Sequence, residues 1–376
     1  MSGIYIHIPF CSQACHYCDF HFSTVLKNKQ PLLDAMVNEI NLRKQELKLN
    51  FTSLYFGGGT PSLLNKKEIT QILKSLSKSI SMKKLKEITI EINPEDISYE
   101  KLTMYKDLGF NRLSIGIQSL EDKVLKWMNR AHTKKQVLEA ISLTKKTGFD
   151  NISLDFIYGL PKKLKRNYKK ELSELISFRP NHISCYHLTI EQDTYFGHLK
   201  NKNKLIEIEE EKSEEEFLAI SELLQASNYN HYEISNFAKP GKQSYHNTNY
   251  WKQKTYIGIG PSAHSFNTNK RRWNPSNNKK YITYINENKV CFEEETLSEK
   301  DLFNEKIMLG LRTEKGVDIN TIYQHLNPKE QASFDIKVKA FFEDGLLIID
   351  NNTIRVPTKK WLLSEYISRE FFILNK

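Results

Sequence analysis

The sequence predicts an α/β fold: a partial barrel of six strand–helix units, (β/α)6, followed by a mainly helical, winged-helix-like C-terminal region. Short β-branched or aromatic runs alternate with longer amphipathic stretches up to about residue 190. Alternation of that kind implies a parallel sheet joined by right-handed crossovers. The chemically distinctive residues also fall at or just beyond the strand ends, where barrels gather their chemistry.

The six strands are expected at residues 4–8, 53–56, 88–92, 112–116, 152–158 and 182–188. Helical patterns lie between them at 32–47, 69–80, 99–108, 135–147 and 168–178. Cys11 follows the first strand and Gly57-Gly58-Gly59-Thr60-Pro61 the second. Glu91 and Asn93 end the third, and Gln118 follows the fourth. Asp155 and Gly159-Leu160-Pro161 close the fifth, and His187 closes the sixth. The alternation then stops. A helical region runs to about Asn228, its acidic face at 207–216 solvated. Residues 229–274 read as loop-rich, dense in Asn, Tyr, Gly and His. From about Leu297 helices precede a hairpin at 346–356, turned at Asp350-Asn351-Asn352. Three regions result: 1–190, 191–295 and 296–376. Helices with a small β-wing can bind nucleic acid, but fold alone does not assign that function; the region is expected to be a structural cap.

A chain of 376 residues can bury a large core and carry a second small domain. Hydrophobic content of 39% and charge of 27% fit a globular chain. No apolar run approaches the roughly 20 residues that span a bilayer, so no transmembrane segment is expected. The start, Met-Ser-Gly followed by a strand-like run, shows no secretory signal. Clustered free thiols fit a reducing compartment, hence a cytoplasmic protein. The net charge of +10 is spread without one dominant basic block, which reads as solvated lysines and not as a nucleic-acid surface.

Only five cysteines occur, and three of them, Cys11, Cys15 and Cys18, stand at C-x3-C-x2-C spacing. A zinc site of that density wants a fourth Cys or His, which His7, His16 or His21 would have to supply. Three thiolates on one short loop suit three corners of an iron–sulfur cube with the fourth iron open. Cys185 reads as a small core residue, and Cys291 has no evident partner.

This spacing, with Tyr17 directly before the last cysteine, resembles the signature of radical S-adenosylmethionine proteins. The resemblance implies a 4Fe-4S cluster on the three cysteines, its open iron chelated by S-adenosyl-L-methionine. The wider run Tyr5-x-His7-Ile8-Pro9-Phe10-Cys11 is similar to the branch that holds oxygen-independent coproporphyrinogen III dehydrogenase and its relatives. By that resemblance Gly58, Gly59 and Thr60 hold the methionine amino group, and Tyr5 touches its carboxylate. Tyr17, Glu91, Gln118, Arg130 and Asp155 complete the implied cofactor set. These residue types suit such a ligand, since carboxylates accept from ribose hydroxyls and Arg forks onto a carboxylate. Taken singly, Glu91, Gln118 and Asp155 read equally well as satisfied polar groups at a barrel rim, and Arg130 as the partner of a surface acid.

Two departures separate the chain from the enzyme. The enzyme has a further cysteine two residues after the third, where this chain has Phe20. The enzyme also has a sizeable segment before the motif, whereas only four residues precede Tyr5 here. The hexad His246-Asn247-Thr248-Asn249-Tyr250-Trp251 instead resembles the marker of the heme chaperones, relatives of that enzyme. An imidazole can ligate heme iron, and Tyr and Trp offer flat faces to a porphyrin. By residue type alone the hexad is an aromatic cluster packed at the barrel mouth. Within the resemblance His246, Asn247, Tyr250 and Trp251 are the heme segment, with His231 and His264 as alternative iron ligands. The neighbouring Gly258-x-Gly260 reads as a close backbone approach, not a phosphate loop.

The expectation is a heme chaperone that carries the cluster, S-adenosylmethionine and heme. It would bind or cleave S-adenosylmethionine without oxidising coproporphyrinogen. Its implied partner is an acceptor hemoprotein, a membrane-bound respiratory enzyme by family analogy, reached from the cytoplasm or from the inner-membrane periphery. Coproporphyrinogen III oxidase of the oxygen-independent type, an enzyme of porphyrin biosynthesis, is the alternative.

Overall fold

All six expected units form in the computed structural model, which describes residues 2–290 and 293–373; Cys291 lies outside them. The first three are β1 (Ser2–Ile8) with α1 (Lys29–Leu42), β2 (Phe51–Gly58) with α2 (Lys66–Ser77), and β3 (Glu87–Ile92) with α3 (Tyr99–Asp107). The fourth is β4 (Arg112–Gln118) with the short α4 (Asp122–Trp127) and α5 (Lys134–Lys146). The fifth is β5 (Ile152–Tyr158) with α6 (Tyr168–Ser177), and β6 (His182–His187) opens the sixth. These strands pair in parallel, each with the next.

Strand side chains alternate between two faces. Ile4, Ile6 and Ile8 of β1, Leu54 and Phe56 of β2, and Ile88, Ile90 and Ile92 of β3 are buried in one core with helix residues such as Leu32, Met36, Ile69 and Ile72. The alternate positions are polar: Tyr5 and His7, Ser53 and Tyr55, Glu87 and Glu91, Arg112 and Ser114, Ser153 and Asp155. A parallel sheet covered on both faces is ordinarily apolar on both. Here the face that lines the lumen is polar, and that asymmetry builds the site.

Helix starts follow local chemistry. Asn65 with Glu68 and Thr133 with Gln136 form capping boxes ahead of α2 and α5. Helix α1 ends five residues earlier than its expected limit at 47. Arg43 leaves the helical pattern because its guanidinium is buried against Glu39 at 2.9 Å, the Gly258 carbonyl at 2.7 Å and Ser265 Oγ at 3.1 Å.

Beyond α7 (Tyr195–Asn201) and α8 (Glu210–Ala226), the expected loop-rich stretch 229–274 is in fact mostly regular structure. It holds β7 (Asn230–Glu233), β8 (Asn236–Ala238), α9 (Tyr245–Trp251), β9 (Tyr256–Ile259), β10 (His264–Asn267) and β11 (Lys270–Trp273). With α10 (Asn278–Asn286) and β12 (Glu293–Thr296), this segment completes one sheet of twelve strands, β12-β11-β10-β9-β1-β2-β3-β4-β5-β6-β8-β7. β9 runs parallel to β1 as a seventh parallel strand. Strands of three or four residues carry too little periodicity to be seen, and glycines inside them read as breaks. Gly258 is there because an added Cβ would lie 2.2 Å from the His264 carbonyl oxygen.

The C-terminal part has α11 (Glu299–Gly310), β13 (Val317–Asp318), α12 (Ile319–Tyr323) and α13 (Pro328–Glu343). The hairpin β14 (Ile348–Asp350) and β15 (Thr353–Arg355) pairs with β13 as the expected wing, and α14 (Ser364–Phe371) closes the chain. Asn351 takes the left-handed conformation at φ 51° that the turn needs. Among the described residues no helix is long and apolar enough to cross a membrane.

Candidate functional site

A cavity of about 510 Å³ opens at the C-terminal ends of the barrel strands. Cys11, Cys15 and Cys18 line it together with Tyr17, Gly58, Gly59, Thr60, Glu91, Gln118, Arg130 and Asp155. The cysteine loop is closed on itself by Ser23 N–H to Pro9 O at 2.8 Å and Cys11 N–H to Ser23 O at 3.1 Å. It is docked on the end of α4 through His16 N–H to Met128 O at 3.0 Å and Gln13 Nε2 to Asn129 O at 2.9 Å. Thr60 Oγ1 donates to Cys11 Sγ at 3.4 Å, and Arg130 Nη1 to Cys15 Sγ at 3.3 Å. Burial pushes the Cys11 thiol up to about 11 and the Cys18 thiol up to about 12. Metal binding by these thiols would therefore release protons.

Among the described residues, no three His, Cys, Asp or Glu side chains surround a single metal-ion position. The candidate fourth zinc ligands are engaged elsewhere. His7 bonds Tyr5 OH at 3.1 Å and His21 O at 2.9 Å, His16 bonds Trp127 O at 2.8 Å, and His21 bonds Asn278 Oδ1 at 2.8 Å. Three thiols around one open cavity suit a multi-iron cluster better than a tetrahedral ion.

The cavity walls suit a polar small molecule. Glu91 accepts from Tyr55 OH at 2.7 Å and from Gly58 N–H at 3.2 Å, yet burial raises its carboxyl to about 7. Burial likewise raises Asp155, although Ser114 Oγ donates to it at 3.1 Å and Ser153 Oγ at 3.3 Å. Arg130 forms no ion pair among the described residues. Its Nη2 donates to Asn93 Oδ1 at 2.6 Å and to Gly116 O at 2.9 Å, and among those residues its buried Nε has no hydrogen-bond partner. Gly59 lets β2 meet the cysteine loop, since a Cβ there would lie 2.7 Å from Phe10 O. The volume falls within the roughly 300–1,000 Å³ of ligand pockets.

Tyr5 is not among the residues that line this cavity. Its hydroxyl turns to His7, and its ring opens on a neighbouring cavity of about 340 Å³ with Phe20, His21, Tyr250 and His264.

The hexad forms α9, a helix that plugs the barrel. His246 is 2% exposed, and both ring nitrogens are engaged, Nδ1 with Ser53 Oγ at 3.0 Å and Nε2 with Tyr250 OH at 3.0 Å. The ring stacks on Tyr55 at 4.8 Å. The resemblance offers His246, His231 or His264 as the iron ligand; here the His246 ring is held by Ser53 and Tyr250. Glu87 of β3 holds the helix N-terminus, accepting from Ser244 Oγ at 3.1 Å, Tyr245 N–H at 2.9 Å and His246 N–H at 3.0 Å. His231 is also buried, stacked on Phe237 at 3.9 Å. His264 is exposed beside Trp273. The rest of the hexad diverges: Asn247 reaches the cysteine cavity, Tyr250 the small cavity, and Trp251 a third cavity toward the C-terminal domain.

Comparisons with known proteins agree with this architecture. Residues 5–172 match the radical SAM superfamily, and residues 297–363 match the HemN C-terminal domain. The chain is 31% identical to the heme chaperone HemW of Lactococcus lactis over 99% of its own length and 97% of that protein's. It is 32% identical to HemW of Bacillus subtilis over 99% of both. The chain belongs to the HemW family of radical SAM proteins. HemW of Escherichia coli is 36% identical over 70% of this chain and 69% of its own. The solved structure of Escherichia coli coproporphyrinogen III oxidase, HemN, superposes with a TM-score of 0.84 at 24% identity, over 98% of this chain and 89% of that one, and so shares the fold.

Several lining residues of this HemW-family chain carry no motif that singles them out in the sequence: Tyr55, Arg112, Ser114 and Tyr186. Arg112 is 1% exposed; burial opposes its charge, and Glu87 together with Tyr55, Tyr232 and Asp155 outweighs that. A signal exists in the polar alternate positions of each strand, but it points to the site only once the lumen is known to be the inner face.

Proposed function

We propose that this HemW-family chain is a heme chaperone that binds heme and hands it to an acceptor hemoprotein. The observation that carries the proposal is the position of α9. One seven-residue helix puts Asn247 on the wall of the cysteine cavity and Trp251 on the wall of another. Occupancy of the first can thereby bias the second through a rigid element anchored by Glu87.

Cys11, Cys15 and Cys18 would hold a 4Fe-4S cluster, and Tyr17, Gly58, Gly59, Thr60, Glu91, Gln118, Arg130 and Asp155 would surround S-adenosyl-L-methionine. When bound, that pair supplies one-electron redox chemistry. Arg130 orients Cys15 and fixes Asn93; Glu91, close to half protonated near neutral pH, can donate or accept at the same oxygen. Trp251 offers the porphyrin a flat surface, and His246, bonded to the Tyr250 hydroxyl, holds that helix in place. The acceptor is proposed to be a membrane-bound respiratory hemoprotein, met from the cytoplasmic side.

The test is a heme titration of anaerobically reconstituted protein, followed at the Soret band. Saturable one-to-one binding, weakened about tenfold by Trp251→Ala, is expected. Absence of saturable binding, or turnover of coproporphyrinogen III under anaerobic reduction, would replace the carrier with an enzyme.

A further inference from the structure

The cavity beyond Trp251, at about 630 Å³, is larger than the cysteine cavity. It lies between α9 and the C-terminal domain. Its floor is the junction where Ile234 N–H meets Arg312 O at 3.0 Å and Glu314 N–H meets Tyr232 O at 3.1 Å. Aromatic surface comes from Tyr232, Tyr245 and Trp251. Four lysines, Lys252, Lys254, Lys306 and Lys315, come from three separate parts of the chain to line the same space. None of the four forms an ion pair among the described residues, although Lys306 Nζ comes within 3.5 Å of His325 Nε2.

The acids of the cleft are differently committed. Asp318 caps α12, accepting from Asn320 N–H at 2.9 Å. Glu233 is 1% exposed, accepts from Ser235 N–H at 3.1 Å and is raised by burial to about 7. Glu314 is exposed at the rim. Burial, and then repulsion from Lys315 and Lys254, lowers Lys252; burial and Lys254 likewise lower Lys306, against the attraction of Asp318 and Glu299. Four lysines that form no close ion pair among the described residues, set beside aromatic faces, suit a flat anion.

We infer that this cleft binds a planar aromatic dicarboxylate, with the ring against Trp251 and the carboxylates on Lys252, Lys254, Lys306 and Lys315. Resting on the chaperone proposal, the ligand is heme, anchored by its two propionates. Its edge is thus held by both α9 and the C-terminal domain, so relative movement of the two would release it.

The experiment titrates the full-length protein with hemin and with hemin dimethyl ester, whose propionates carry no charge. The variants are Lys306→Gln, Lys315→Gln and their combination; glutamine keeps the stem and removes the charge. Wild type is expected to bind hemin about tenfold more tightly than the ester, and the double variant to lose that preference while binding the ester unchanged. If the double variant binds hemin as wild type does, the cleft is not the propionate site and heme binding lies elsewhere. If wild type itself shows no saturable hemin binding, both the cleft assignment and the chaperone proposal fall.

Discussion

His246→Ala is expected to destabilise the fold by about 3 kcal/mol, because the imidazole is a structural plug. Two hydrogen bonds, to Ser53 Oγ and the Tyr250 hydroxyl, are lost. At about 1 kcal/mol each they contribute roughly 2 kcal/mol. The Tyr55 stack, with centroids 4.8 Å apart, adds about 0.5–1.5 kcal/mol. The vacated space can only add to this, since the lumen is walled by strands that cannot collapse. Urea unfolding of the metal-free chain, followed by tryptophan fluorescence, measures the change. His246→Asn should fall between wild type and alanine, because an amide can keep one of the two bonds. An alanine variant within about 0.5 kcal/mol of wild type would refute the plug. If that stable variant had also lost heme binding, His246 would return as the iron ligand.

Other expectations follow from the same geometry. Burial lowers His246 to about 3, His231 to about 3 and His7 to about 4. These folded values lie below the unfolded value near 6.5, so the unfolded chain binds more protons between about pH 6.5 and 4. The histidines' share of stability should be full above that window and fall as pH drops through it, while Glu91 and Glu233, raised by burial to about 7, act in the opposite sense; a His246→Asn variant whose urea midpoint changes with pH just as wild type's does would contradict the His246 share. Glu87→Gln replaces a charged acceptor of three donors and leaves the buried Arg112 less compensated. A loss of about 1–3 kcal/mol is expected, with α9 protons exchanging faster; wild-type exchange in α9 would refute the anchor. Cys15→Ser should abolish the brown absorbance and the iron content of reconstituted protein. Iron retained at the wild-type level would show that the ligand assignment is wrong.

Much of the site was legible because its signals are local. The cysteine spacing, the glycine run and the strand-end positions of Glu91, Gln118 and Asp155 all meet in one cavity. Tyr5 and His246 were less legible, since a side chain's partners depend on register and on what packs over it. Nothing near His246 in sequence announces that Ser53 and Tyr55, nearly 200 residues away, will occupy its ring. The edge strands were illegible for another reason: three or four residues against a neighbour are held by that neighbour, not by their own pattern.

The sequence by itself determined the barrel units and the cysteine loop, because period-2 and helical periodicities and short-range spacing are properties of adjacent residues. Only the tertiary structure decided which histidine remains open, that β9 joins β1, and that four lysines from distant segments share one cleft. Burial and ion pairing depend on all elements packed around a group, and no stretch of chain contains that information alone.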